Sequence, residues 1–169
     1  AIPILISYLI LTRVEIGENN KKIGIVLSQP NVDPYQKFSG NKTALEQVKN
    51  MLEVTKKSIN ENTRLIITPE TAFPFSIEET MIQYSDEVQV SKIFLQNYPN
   101  VSLLTGASTH AFFDTKNSDA SRKLKDEGYW EAYNSALLIT ELDSVSIYHK
   151  SKLVLGTETL PFQFITEPL

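Results

Sequence analysis

The 169-residue sequence contains no cysteine. That removes disulfide bonds and thiolate metal sites, and it leaves the redox compartment open. Histidine is scarce as well, with His110 and His149 the only two. A histidine-based metal centre or a Ser-His-Asp triad therefore has little material to draw on, and no metal or other cofactor is expected. Basic character is also missing. Lys and Arg number 16 against 20 Asp and Glu, a net charge of −4, and no basic cluster alternates with aromatics. Nucleic acid is thus not an expected partner. There is no internal repeat and no low-complexity segment. The length fits one domain or part of one, and a 41% hydrophobic content allows a sizeable core.

Apolar runs of membrane-spanning length are absent too. The chain opens "AIPILISYLIL", short of the ~20 residues a span needs. It also lacks the basic start and small-residue cleavage site of a signal peptide. It reads as an N-terminal strand, a buried helix or the tail of a membrane helix. Pro3 and the polar "TRVEIGENNKK" that follows fit the third reading best, with Arg13 at the interface.

What is present alternates between strand and helix patterns. Ile23 to Ser28 reads as a strand ended by Pro30, and its consecutive Ile25, Val26 and Leu27 predict cover on both faces. "SGNKTALEQVKNMLEVTKKSI" has a helical period, with Asn41 or Ser39 as the expected cap. "TRLIIT" is a second strand, so the order suggests a βαβ unit with a parallel pair. "SIEETMIQYSDEVQVSKIFLQNYP" reads as helical in two pieces, and Val101 to Ala107 as a third strand. "DTKNSDASRKLKDEG" is charged and reads as an exposed insertion. "YWEAYNSALLIT" and "SVSIYHKSKLV" are strands joined at "ELDS". In the second, alternation places Val145, Ile147 and His149 on one face and Ser146, Tyr148 and Lys150 on the other. The class is α/β, with a mixed sheet and flanking helices.

Three residues attract chemical interest. Glu70, in "ITPETAFPF", lies just past the end of a predicted parallel strand, where open α/β sheets bind ligands. Pro69 and Pro74 stiffen its loop, and Ala72, Phe73 and Phe75 are expected as an apolar wall that partly desolvates the acid and suits it to general-base work. The plainer alternative is a glutamate satisfied by backbone N–H groups at a helix start. Lys150 shares a strand face with Tyr148 and is placed to stabilise an oxyanion. Its alternative is an ordinary strand-end lysine with its head in water. Glu158 sits between Gly156 and Pro161 in another stiff loop. Two glutamates are also compatible with glycoside hydrolysis. His149 and His110 receive no chemical role.

Four stretches in order, "QPNVDPYQKF", "ITPETAFPF", "YNSALLI" and "YHKSKLVLGTETLPF", resemble the carbon–nitrogen hydrolase (nitrilase-like) domain of the apolipoprotein N-acyltransferases. The resemblance runs from about Lys22 to the end. It implies part of a nitrilase-like αββα sandwich. Residues 1–12 are then the end of a transmembrane helix, 13–22 a linker, and 23–169 the first part of the domain. It implies a Glu–Lys–Cys triad in which Glu70 is the general base, Lys150 the oxyanion-stabilising lysine and Glu158 a supporting acid. Phe38, Phe73 and Tyr148 are the expected substrate-binding residues, Phe38 standing where the family often has a tryptophan.

The implied reaction moves an acyl chain from a phospholipid, through a cysteine thioester, to the N-terminal amine of a diacylglyceryl-cysteine lipoprotein. The implied location is the bacterial inner membrane, reached through upstream helices, with this domain on the periplasmic side. The family's nucleophile lies downstream of the matched region, so the segment alone is expected to be inactive. Two departures stand out. "LVLGTE" replaces the common "LVPFGE", and Thr68 replaces a tryptophan before Pro-Glu. The alternatives are a soluble nitrilase or amidase of the same superfamily, and a non-catalytic truncated remnant.

Overall fold

The computed structural model describes residues 2–13, 22–31, 43–142 and 144–152. Its first element is helix α1 (Ile2–Arg13), in which no residue is buried. The strand and buried-helix readings of the opening run therefore do not hold. At 12 residues α1 is short, and among the described residues no helix is long and apolar enough to cross a membrane.

The rest is one mixed sheet with helices on one face. Strand β1 (Gly24–Leu27) pairs in parallel with β2 (Thr63–Ile67), and helix α2 (Ala44–Lys56) connects them. The α2 N-cap is Thr43: its side chain accepts the Glu46 N–H at 3.2 Å, and Glu46 Oε2 accepts the Thr43 N–H at 2.8 Å. This reciprocal box satisfies two helix-end donors. It replaces the expected cap at Asn41 or Ser39, both of which lie outside the described residues.

Strand β3 (Phe73–Glu78) follows, then a 3₁₀ turn (Glu79–Tyr84) and helix α3 (Asp86–Leu95) capped by Ser85. The expectation of helix from Ser76 onward is thus corrected, because the first three residues of that stretch belong to a strand. Strand β4 (Ser102–Phe113) is longer than its apolar segment predicts. With strands β5 (Arg122–Lys123), β6 (Tyr129–Ile139) and β7 (Ser146–His149), the described residues form a seven-stranded sheet of order β1-β2-β4-β6-β5, with β3 also on β4 and β7 also on β6.

β4 is the organiser. One of its edges pairs antiparallel with β6 from Leu103 to Phe113. Its other edge takes two parallel partners in succession, β2 opposite Ser102–Leu104 and β3 opposite Ala107–His110. The chain therefore leaves the sheet after Ile67, loops out, and returns to the same edge at Phe73. Pro74 is tolerated because the β3 ladder skips register between Phe73 and Ile77.

α2 and α3 pack together over one face. Val48, Met51 and Leu52 from α2 and Val88 and Leu95 from α3 bury against Ile66, Phe73, Leu103, Leu137 and Ile139. On the opposite face, Ile25, Leu27 and Tyr148 are exposed. The consecutive apolar residues of β1 thus do not mark a strand covered on both faces: Val26 is buried while its two neighbours face outward.

The charged insertion after β4 is exposed, but it is tied to the sheet by a buried acid. Glu131 is only 3% exposed. Its carboxylate accepts Ser118 Oγ at 2.7 Å, Asn117 Nδ2 at 3.3 Å and Tyr133 Oη at 2.6 Å, and also accepts Ser121 Oγ. Burial pushes this carboxyl up, and the hydroxyl and amide donors more than reverse it, bringing it from 4.5 down to about 2. Burial, and next the adjoining carboxylate, raise the Tyr133 phenol above its ordinary value.

A depressed acid stabilises the fold above its unfolded value and loses that contribution as pH falls towards its folded one. Glu131→Ala is expected to cost about 2–3 kcal/mol at neutral pH by stranding several donors. The stability gap between wild type and variant should hold above pH 4.5 and shrink between 4.5 and about 2. Urea unfolding at a series of pH values measures both.

Candidate active site

The loop between β2 and β3 is built to hold one residue against β4. The Thr68 N–H donates to Leu104 O at 3.0 Å, and Thr68 Oγ1 donates to Thr105 Oγ1 at 2.8 Å. Pro69 O then accepts the N–H groups of Gly106 at 3.3 Å and Ala72 at 3.2 Å. These bonds press the Glu70 backbone onto Gly106. A Cβ placed on Gly106 would lie 1.9 Å from Glu70 O and 2.4 Å from Glu70 Cα. Only glycine leaves room for the loop at this height.

The Glu70 side chain meets the end of β7. Lys150 Nζ donates to Glu70 Oε1 at 2.9 Å, and Asn134 Nδ2 donates to the same oxygen at 2.6 Å. Asn134 also fixes the lysine, because its backbone carbonyl accepts the Lys150 N–H at 2.8 Å. One β6 residue thereby holds both charged groups. A cleft of about 270 Å³ opens beside them, lined also by Ile67, Leu104, Ala136 and Tyr148. It lies on the face of the sheet opposite α2 and α3. The wall is apolar, and the polar groups converge at one end, the usual make-up of a small-molecule site.

The side chain of Glu70 is 60% exposed and that of Lys150 30%. An ion pair this open contributes at most about 1 kcal/mol to stability. The expected desolvation of Glu70 is therefore not what the described residues provide, and hydrogen bonding from Asn134 and Lys150 sets its position instead. Chemically, the arrangement offers a carboxylate able to accept a proton, with an ammonium beside it able to face developing negative charge.

The other sequence candidates fall differently. Tyr148 lines the cleft. Phe73 is fully buried and packs in the core between sheet and helices. Phe75 is half exposed on β3. Phe38 and Glu158 lie outside the described residues. Among the described residues no group of His, Asp and Glu is arranged to hold a metal ion. Sequence reasoning missed Asn134. Its only signal was its place in "YNSA", since a neutral amide on a strand carries no charge or periodicity cue.

No family model matches the chain. It is 28% identical over 165 residues to an apolipoprotein N-acyltransferase of Chlorobaculum tepidum, covering 96% of this chain and 30% of that protein. A second match, also 28% identical, covers 68% of this chain and 21% of an apolipoprotein N-acyltransferase of Aquifex aeolicus. The chain thus spans less than a third of the length of these curated relatives. Among solved structures, a glutamine-dependent NAD+ synthetase from Acinetobacter baumannii in complex with ADP aligns with a TM-score of 0.38 and 16% identity, over 68% of this chain and 20% of that one.

Replacing Gly106 by alanine should displace the Glu70 loop. The expected cost is about 2–3 kcal/mol, as for other overpacked sites, read as a lowered denaturation midpoint. An unchanged midpoint would show that the loop seats without this contact.

Proposed function

We propose that the chain is a segment of an apolipoprotein N-acyltransferase, built on the first part of a nitrilase-like αββα sandwich. The observation that carries the reading is the Glu70–Lys150 contact at 2.9 Å, at the polar end of an apolar-walled cleft. The two relatives bearing that name support it. The apolar helix α1 is, in this reading, the end of a membrane helix. The domain that follows lies on the periplasmic side of the bacterial inner membrane.

The chemistry runs in two halves. Glu70 takes the proton of a cysteine thiol supplied from outside these 169 residues, which contain none. The thiolate attacks an ester carbonyl of a phospholipid, and the Lys150 ammonium faces the oxyanion that forms. Collapse expels the lysophospholipid alkoxide, which regains a proton, and leaves a thioester. The α-amine of a diacylglyceryl-cysteine lipoprotein then attacks the thioester carbonyl. An amide forms and the thiol is released, so that one hard displacement becomes two easier ones. The apolar residues Ile67, Leu104 and Ala136 give the acyl chain a surface. Tyr148 flanks it, and Glu158 supports the site in this scheme.

The test uses the full-length protein that carries this segment. Glu70→Gln and Lys150→Met are each expected to lower thioester formation from a labelled phospholipid at least about a hundredfold. Circular dichroism should show both variants folded. Acylation that persists in either variant would remove that residue from the mechanism.

A further inference from the structure

His149 precedes Lys150 and points to the opposite face of the sheet. Its ring is gripped from two other elements. Nε2 lies 2.6 Å from Glu79 Oε1 on the 3₁₀ turn. The imidazole also stacks on Tyr133 of β6, with centroids 3.9 Å apart and ring planes 2° from parallel.

Both grips are themselves anchored. Thr109 Oγ1 donates to Glu79 Oε1 at 2.6 Å and lies 2.7 Å from Ser135 Oγ. Tyr133 Oη donates to the buried Glu131 at 2.6 Å. The groups around the imidazole are therefore the Glu79 carboxylate and the Tyr133 phenol, with Glu131 behind the phenol.

β7 needs such an anchor. It has only four residues, and β6 is its partner in the sheet. Lys150 lies just past its last paired residue, where its N–H bond to Asn134 O is the last backbone tie to β6 that the sheet gives it. A single partly exposed polar contact such as His149–Glu79 adds little to overall stability. Its effect is local: it fixes the backbone one residue from the lysine without entering the cleft.

We propose that His149 is the positioning residue for Lys150, a clamp at the back of the sheet that sets where the ammonium sits at the front. This rests on the reading of Lys150 as the oxyanion-stabilising group. Displacing such a group by about 1 Å is enough to cost up to a hundredfold in rate.

The experiment has two readouts on the full-length protein. The first is steady-state acyl transfer from a labelled phospholipid. His149→Ala should lower kcat about tenfold with KM changed less than about twofold, and His149→Phe, which keeps the ring stack, should recover part of the loss. The second does not depend on activity: competitive labelling of lysines by an amine-selective reagent, read by mass spectrometry as the Lys150 to Lys152 ratio. Release of Lys150 from its fixed contact with Glu70 should raise that ratio about threefold or more in His149→Ala.

A ratio and kcat both within twofold of wild type would overturn the proposal. So would a lowered melting temperature with an unchanged ratio, since that marks a purely structural role; if His149→Ala fails to fold, His149→Phe carries the same two readouts. Lys150→Met in the same assay separates the two claims. Full activity there would remove the lysine from the reaction, while the labelling ratio in His149→Ala, which keeps Lys150, would still report on the clamp.

Discussion

The loop that carries Glu70 rests on a position of β4 that has no side chain. Gly106 gives up its Cβ so that the Glu70 backbone can lie where a side chain would stand. Much of the architecture serves that contact. β2 and β3 share one edge of β4, so the chain must leave and rejoin the sheet on either side of Gly106. Pro69 accepts two N–H groups within that gap and limits how far the loop can lift. β6 runs along the other edge of β4 and brings Asn134 to the same height. The acid is thus set by backbone geometry, and its carboxylate is then oriented by an amide and an ammonium.

The two faces of the sheet divide the labour. The face under α2 and α3 holds the core, including fully buried Leu103, Leu137, Ile139 and Phe73. It also holds polar anchors, with Thr109, Ser135 and Glu131 buried among them. The opposite face carries the cleft. Alternation along β6 and β7 places neighbouring residues on different faces, so the two residues that meet Glu70 each have a sequence neighbour among the anchors: Asn134 beside Ser135, and Lys150 beside His149. A single peptide unit separates each of these cleft residues from its neighbour on the other face.

Much of this was legible in the sequence, for reasons that can be named. β2, the first part of β4, β6 and β7 are short apolar or alternating runs bounded by turn residues, and such patterns read reliably. The position of Glu70 past a parallel strand and the alternation that turns Lys150 and Tyr148 together were readable from order and period alone. β3 was not, because Pro74 and the polar Ser76 and Glu78 look like a loop leading into a helix start. The burial of Phe73 was hidden for the same cause: without a strand nothing marks it as part of the sheet that the helices cover. The Thr43–Glu46 box was written plainly in the sequence but was passed over for Ser39 and Asn41 upstream. Glu131 reads as one more solvent-facing acid, and its burial depends on donors from an insertion that local pattern marks only as exposed. The contact of His149 is with Glu79, which is far away in sequence.

Asn134 binds the Glu70 side chain through its own amide and the Lys150 backbone through its own carbonyl. A shift of Asn134 would therefore carry the acid and the lysine backbone with it in the same direction. The gap between the two charges is gauged along one residue instead of across three strands. The effects of disturbing Glu70 and Lys150 are for the same reason not independent, and the free energies of the two changes should fail to add.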